Sequence, residues 1–281
     1  MRLASYALRG RPSFGAVNGD GIVDLRPRLH KFHNLVEVFR AEALPEALAA
    51  SDGVRPDVPL TEVELLAPLL QPEKILCIGI NYANRNLDYN VTSNPKYPSM
   101  FYRAPNSLVG SGQNLILPKI SEQLDYEGEI AIVIGRDCKH VPKERALDVI
   151  AGVTLCNEGT IRDWTRHGQF NVTQGKNFDA SGSIGPWIVT GVDLSKPLHL
   201  LVRKNGEVTQ EDSTTNMIFS FSDIIAYVTT FMTLKAGDVI CTGTPVKKTK
   251  SDPPVWLKAG DVIEIECPEI GILRNAVAAE A

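Results

Sequence analysis

Short apolar runs bounded by Gly, Pro, Asn or Asp recur along this chain, and they predict strands far more often than helices. MRLASYALRG and GDGIVDL both alternate, and Asn18-Gly19-Asp20-Gly21 between them predicts a hairpin with a primed turn. From Leu35 to Ala50 the apolar positions take helical spacing among many alanines, which predicts one or two helices. The next segment carries Pro56, Pro59, Pro68 and Pro72 and reads as an extended connector, because proline fixes φ and lacks an N–H. A domain boundary is therefore expected near residue 70, with a small N-terminal α/β domain and its connector over 1–70 and a larger domain over 71–281.

In the larger segment KILCIGINY, EIAIVIG, PWIVTGVDL, HLLVRKNGEV, GDVICTG and DVIEIEC are rich in Val and Ile and predict strands. Asn205-Gly206 predicts a second tight hairpin. Two helices are expected. One follows Pro142 and runs through ERALDVIA to Gly152, and the other, SFSDIIAYVTTFM, has Ser220 and Asp223 at capping-box spacing. LKAGDVI occurs twice, at Leu234–Ile240 and Leu257–Ile263, and reads as one device used twice: a glycine turn that launches a strand. The strands do not alternate regularly with helices, so the expected class is β-rich α+β, not a doubly wound sheet or a TIM barrel.

Composition narrows the function classes. The 29 Lys+Arg against 33 Asp+Glu give a net charge of −4, which argues against a nucleic-acid partner. No apolar run approaches the roughly 18 residues that span a bilayer, and the opening residues lack a signal-peptide core, so a cytoplasmic protein without a membrane partner is expected. Cys77, Cys138, Cys156, Cys241 and Cys267 are scattered without a CxxC pair, as reduced thiols are.

The most informative stretch is Asp125-Tyr126-Glu127-Gly128-Glu129, which runs into IAIVIG. On a strand Glu127 and Glu129 project from one face. Either they form an exposed acidic strand end, or a divalent cation relieves their repulsion, in which case an all-oxygen site suits Mg²⁺, Mn²⁺ or Ca²⁺. Glu158, at the exit of another β-like run, is placed to join them. Arg162 and Asp163 read as a supporting pair or a surface ion pair. Lys176, between Gly175 and Asn177 in a stretch expected to be non-helical, is either solvated or able to hold a carboxylate or an enolate. Cys241-Thr242-Gly243-Thr244-Pro245 is a turn or a carboxylate cradle. His167 is the histidine nearest the proposed site in sequence, and no role is expected for His30, His33, His140 or His199.

Gly79–Tyr82 (GINY), Tyr126–Gly135 (YEGEIAIVIG), Asn157–Trp164 (NEGTIRDW), Gly175–Asp179 (GKNFD), Ile184–Thr190 (IGPWIVT), Lys204–Glu207 (KNGE) and Gly237–Pro245 (GDVICTGTP), in this order, resemble the fumarylacetoacetate hydrolase family. The resemblance spans about Ile75 to Arg274. It implies a mixed β-sandwich roll, a homodimer, and a small-molecule carboxylate substrate. It also implies Mg²⁺ or Mn²⁺ held by Glu127, Glu129 and Glu158, with Lys176 on the oxyanion or carboxylate. Tyr82, Arg103, Gly243 and Thr244 would contact substrate.

The chain also departs from the family pattern. The family's Asn-Tyr-x-Asp-His-x-x-Glu supplies a water-activating His/Glu dyad, whereas here Arg85 stands at the His position and Asp88 at the Glu position. An arginine stays protonated at neutral pH and is a poor general base. Glu158 stands where many members have Asp, Arg103 where many have Lys, and Thr165 where some have Gln. The expected function is a metal-dependent enzyme acting on a small 2-oxo acid or β-dicarbonyl. Its leading form is C–C bond hydrolysis of acylpyruvate- or fumarylpyruvate-like substrates through an enolate. The alternatives are a 2-oxo acid decarboxylase, isomerase or hydratase of aromatic-compound catabolism, or a metal- and ligand-binding protein with little catalysis.

Overall fold

The computed structural model describes residues 1–83, 85, 93–169, 171–249 and 253–281. Two mixed sheets carry the fold. The central path of the larger one runs through the strands Arg11–Asn18, Arg2–Leu8, Gly182–Thr190, Ile150–Asn157, Gly128–Ile134, Val239–Cys241 and Ile75–Ile78. The smaller runs through Glu207–Ser213, His199–Lys204, Val262–Cys267, Gly271–Ala279 and Leu115–Leu117. Few helices accompany these strands, so the fold is a β-rich α+β one.

The run EIAIVI is unbroken because its strand is buried on both faces. Ile130, Ile132 and Ile134 point into a core shared with Val202 and Ile265 of the smaller sheet and with Ile224, Ile225 and Val228 of the Phe221–Phe231 helix. Ala131 and Val133 point the other way, into a core closed by Leu35, Val38 and Phe39 of the N-terminal helices. The N-terminal strands join the larger sheet directly, with Arg2 paired to Val189 and Leu3 to Ile188.

Both hairpins form where expected. Asn18 pairs with Gly21, and Asn205 and Gly206 carry φ of 54° and 82° at the second turn. The N-terminal helical stretch is two helices, Leu35–Arg40 and Leu44–Ser51, and the Ser220/Asp223 capping box is made. The repeated heptapeptide builds the same turn twice. Lys235 N–H donates to Asp238 at 2.7 Å and Lys258 N–H to Asp261 at 2.9 Å, around Gly237 and Gly260 at φ 86° and 92°.

One expectation is corrected. The helix after Pro142 is a 3₁₀ segment, Lys143–Val149, and Ile150–Gly152 already belong to a strand. Ile150 pairs with Ile134 and Gly152 with Val133, so sheet pairing captures residues that local propensity assigned to a helix.

Candidate active site

Strand parity explains how three acids meet. Glu129 continues the face that Ala131 and Val133 present to the second core, and Glu127 lies two residues before it. Cys156 is the cross-strand partner of Glu129, so Glu158, two positions on, leaves its strand toward the same place. One oxygen from each of Glu127, Glu129 and Glu158 lies within 4.8 Å of the others, and all three side chains are buried. Burial excludes the exposed strand end. The floor beneath is small side chains of the same parity, among them Cys77, Cys156 and Cys241; all five cysteines are free thiols.

Cations surround this cluster on one side. Lys176 Nζ donates to Glu127 Oε2 and Glu158 Oε2, each at 2.5 Å, and stands 5.2 Å from the centre of the Phe101 ring. Arg85 and Arg162 both donate through Nη2 to the same oxygen, Glu127 Oε1, at 2.7 and 2.6 Å. Arg162 is itself held by Asp125, Nε to Oδ2 at 2.9 Å, while Lys247 bonds the other oxygen of Asp125. The stretch around Lys176, expected to be non-helical, is a one-turn helix, Thr173–Lys176. Asn171 Oδ1 accepts from the Thr173 N–H at its start, and Gly175 lets the turn press close, since a Cβ there would stand 2.7 Å from Ile161 O. Glycine's low helix propensity hid this turn from the sequence pattern.

These contacts set the protonation states. Burial pushes Glu127 up, but the charges of Arg162, Lys176 and Arg85 outweigh it and hold the carboxyl well below its ordinary value. Among the described residues no cation is bonded to Glu129. Burial, then the Glu158 charge, push it well above the ordinary value, against one Gly243 N–H at 2.8 Å. Glu158 is also raised by burial, with Lys176 and Arg103 opposing. Burial disfavours the Lys176 ammonium, yet Glu127 and Glu158 more than compensate and its value is raised.

The remaining residues singled out in the sequence fall in different places. Arg85, Lys176 and Thr244 line a cavity of ≈ 230 Å³ with the three acids, as do Arg162 and Thr165. Gly243 acts on Glu129 through its N–H, and Asn81 braces that turn by donating to Thr242 O at 2.7 Å. Tyr82 is buried and bridges to Met217, outside the cavity lining. Arg103, expected on the substrate, lies behind Glu158 with its three nitrogens bonded to Ser107, Glu158, Gly159 O and Ser181. Its geometry supports Glu158 and offers no face to the cavity. Asp88 lies outside the described residues. His167 is exposed and packs against Trp164 with the rings tilted by 42° and their centroids 4.3 Å apart, and no histidine is among the described lining residues. Asp125, the support of Arg162, escaped the sequence reading; its signal was its place at the head of DYEGE.

The donors fit a hard divalent cation. Three buried carboxylates converge with no nitrogen or sulfur donor in the set, and the crowded Glu129 is the group whose ionised form such a cation would stabilise. Among the described residues no helix is long and apolar enough to cross a membrane.

Residues 74–278 match the sequence model described as fumarylacetoacetate (FAA) hydrolase C-terminal. A Rattus norvegicus protein named oxaloacetate tautomerase Fahd2a, mitochondrial, is 37% identical over 267 residues, covering 92% of this chain and 84% of that one. A fumarylacetoacetate hydrolase structure from Exiguobacterium antarcticum superposes with a TM-score of 0.83 at 33% identity, with both chains covered in full (100%). The maleylpyruvate hydrolase of Sphingobium sp. SYK-6, solved with manganese(II) and pyruvate, gives 0.82 at 26% identity, again covering 100% of both chains. The matched span, the shared fold and the sequence identity together place this chain in the fumarylacetoacetate hydrolase family of enzymes.

Proposed function

We propose that this protein is a divalent-metal-dependent enzyme that interconverts the keto and enol forms of a small 2-oxo acid. The observation that carries the reading is the buried Glu127, Glu129 and Glu158 triad with Lys176 bonded across it, in a cavity whose described lining holds no histidine. Glu127, Glu129 and Glu158 would hold Mg²⁺ or Mn²⁺, which supplies Lewis acidity toward the carboxylate and carbonyl oxygens of a 2-oxo acid. Lys176 is kept protonated by its two carboxylate partners and donates to the oxygen on which enolate charge develops. Thr244 lines the same cavity, with its hydroxyl accepting from Gln210 Nε2 at 3.0 Å.

Enolisation moves a proton from the carbon next to the carbonyl to the carbonyl oxygen; with a divalent ion acidifying that carbon, water would take the carbon proton while Lys176 would supply one to the oxygen. C–C hydrolysis asks in addition for a base that activates water, and the guanidinium of Arg85 cannot serve as one. The tautomerase name of the rat relative supports the reaction class, and the pyruvate and manganese in the Sphingobium hydrolase support the ligand and metal classes.

The test is the ultraviolet decay of the enol of freshly dissolved oxaloacetate, followed with Mn²⁺, with chelator, and beside an acylpyruvate cleavage assay. Metal-dependent acceleration of the decay without acylpyruvate cleavage is expected. Cleavage at a comparable rate, or a decay indifferent to metal, would overturn the reading.

A further inference from the structure

We infer that Gln210 is a positioning residue. It fixes the Thr244 hydroxyl as a hydrogen-bond donor toward a carboxylate oxygen of the bound ligand; this rests on the metal-dependent 2-oxo acid reading above. The first ground is where the glutamine lies. In the strand Glu207–Ser213 of the smaller sheet Gln210 is the one buried position, 1% exposed, where a strand ordinarily places an apolar side chain. Its cross-strand partner is Val202, a member of the core between the sheets. A primary amide placed there costs free energy unless its donors and acceptor are all bonded.

The second ground is that its bonds fix which way the amide faces. The Gly128 N–H can only donate, and the Pro245 carbonyl can only accept. Oε1 therefore takes the Gly128 N–H at 3.3 Å, and Nε2 gives one hydrogen to Pro245 O at 2.5 Å. The other hydrogen of Nε2 goes to Thr244 Oγ1 at 3.0 Å. Turning the amide over would set donor against donor at Gly128 and acceptor against acceptor at Pro245.

The third ground is what this leaves to Thr244. Its oxygen is committed as an acceptor, so its own hydrogen is the group that must find a partner. Thr244 is 6% exposed and lines the cavity with the three acids, so the cavity is where that hydrogen meets an acceptor. Gly243, the residue before it, donates its N–H to Glu129 Oε2 at 2.8 Å, so one turn holds a metal-binding acid and carries the hydroxyl. Gln210 binds both Thr244 and Gly128, the residue between Glu127 and Glu129. One side chain of the smaller sheet thereby ties the direction of the donor to the strand that bears two of the acids.

Oxalate, a planar mimic of a 2-oxo acid enolate, tests this without turnover. In calorimetry on the Mn²⁺-loaded protein, Thr244→Val and Gln210→Glu are each expected to weaken oxalate about 10-fold, the scale of one charge-assisted hydrogen bond. Gln210→Glu keeps the shape and the Gly128 contact, but its carboxylate accepts from the Thr244 hydroxyl and turns it from the ligand. Even protonated, it has one hydrogen for the two acceptors that Nε2 serves. The double variant separates orientation from support. Once Thr244→Val has removed the hydroxyl, adding Gln210→Glu should weaken oxalate by less than about 2-fold more. Thr244→Ser, which keeps the hydroxyl, should stay near the parent value. An affinity unmoved by Thr244→Val or by Gln210→Glu, or equal losses from Gln210→Glu with and without the hydroxyl, would overturn the assignment. If Gln210→Glu does not fold, Gln210→Met carries the same comparison. Oxalate binding that ignores Mn²⁺ in the parent protein would instead overturn the metal-site reading on which the assignment rests.

Discussion

Arg103 and Glu158 meet Nη1 to Oε1 at 2.7 Å, with side chains 0% and 2% exposed. Neither is solvated, so the Arg103 guanidinium depends on Glu158 for its counter-charge, and Glu158 on Arg103 together with Lys176. Removing one partner of a buried pair costs about 3–5 kcal/mol, because the remaining charge must be neutralised or dragged toward water. Arg103→Met is therefore expected to destabilise the metal-free protein by that amount in denaturant unfolding. Arg103→Lys should lie between, since it keeps the charge but not the fork of donors that also reaches Ser107, Gly159 O and Ser181. A loss under about 1 kcal/mol in Arg103→Met would show that Glu158 is protonated in the metal-free protein.

Glu127 and Glu129 sit two residues apart on one face, yet their amide variants should behave in opposite ways. Glu127 is the common partner of Arg85, Arg162 and Lys176, so Glu127→Gln leaves three buried or half-buried cations facing a neutral amide. It should cost about 3–5 kcal/mol in the metal-free protein. Glu129 accepts one backbone N–H and is crowded by Glu158, and an amide keeps that bond while removing the repulsion. Glu129→Gln should shift stability by less than about 1 kcal/mol. Both variants should lose Mn²⁺ binding in calorimetry. Equal destabilisation of the two would contradict the one-sided placement of the cations.

The convergence of the three acids was readable from sequence because it rests on strand parity, which EGEIAIVI displays openly. The glycine between the two acids has a reason the sequence alone does not give. Gly128 faces the second sheet, and a Cβ there would collide with Val202 Cγ2, so only glycine lets the strand carry two acids on one face while the sheets close on the other. The partners of Arg103 and Arg85 were hidden for a different reason. Each pair joins residues more than forty positions apart, and nothing local distinguishes a guanidinium that supports an acid from one that meets a ligand. The strand at Ile150–Gly152 was likewise decided by pairing with Val133 and Ile134, against a helix-like local pattern.

Metal affinity should rise with pH. Burial and the Glu158 charge raise the carboxyl of Glu129 well above its ordinary value, so in the metal-free protein it keeps a proton over a range in which an exposed carboxyl has lost it. Cation binding requires the ionised form, so each ion bound within that range releases a proton, and the affinity levels off above it. The same shift favours the metal-free fold at low pH, and that contribution disappears as pH rises through the raised value. Calorimetry in two buffers of different ionisation heat should reveal the released proton, and heats independent of buffer would contradict the protonation of Glu129.

Lys176 offers the sharpest separation between holding the site together and acting in it. Its ammonium bonds Glu127 Oε2 and Glu158 Oε2 at 2.5 Å each, so it takes part in the metal-free charge balance. With Glu127 and Glu158 holding a divalent ion, Lys176 would no longer be needed to balance them and could donate to a substrate oxyanion. Lys176→Met should therefore weaken Mn²⁺ binding little or even strengthen it, because a competing cation is gone, while the rate of enol decay falls by about 10²–10³, the effect of losing one oxyanion donor. Lys176→Arg keeps the charge on a longer, planar group that does not fit the same two oxygens, and it should recover stability more than rate. If Lys176→Met lost Mn²⁺ binding and rate in the same proportion, the lysine would be a support for the acids and not a donor to the substrate.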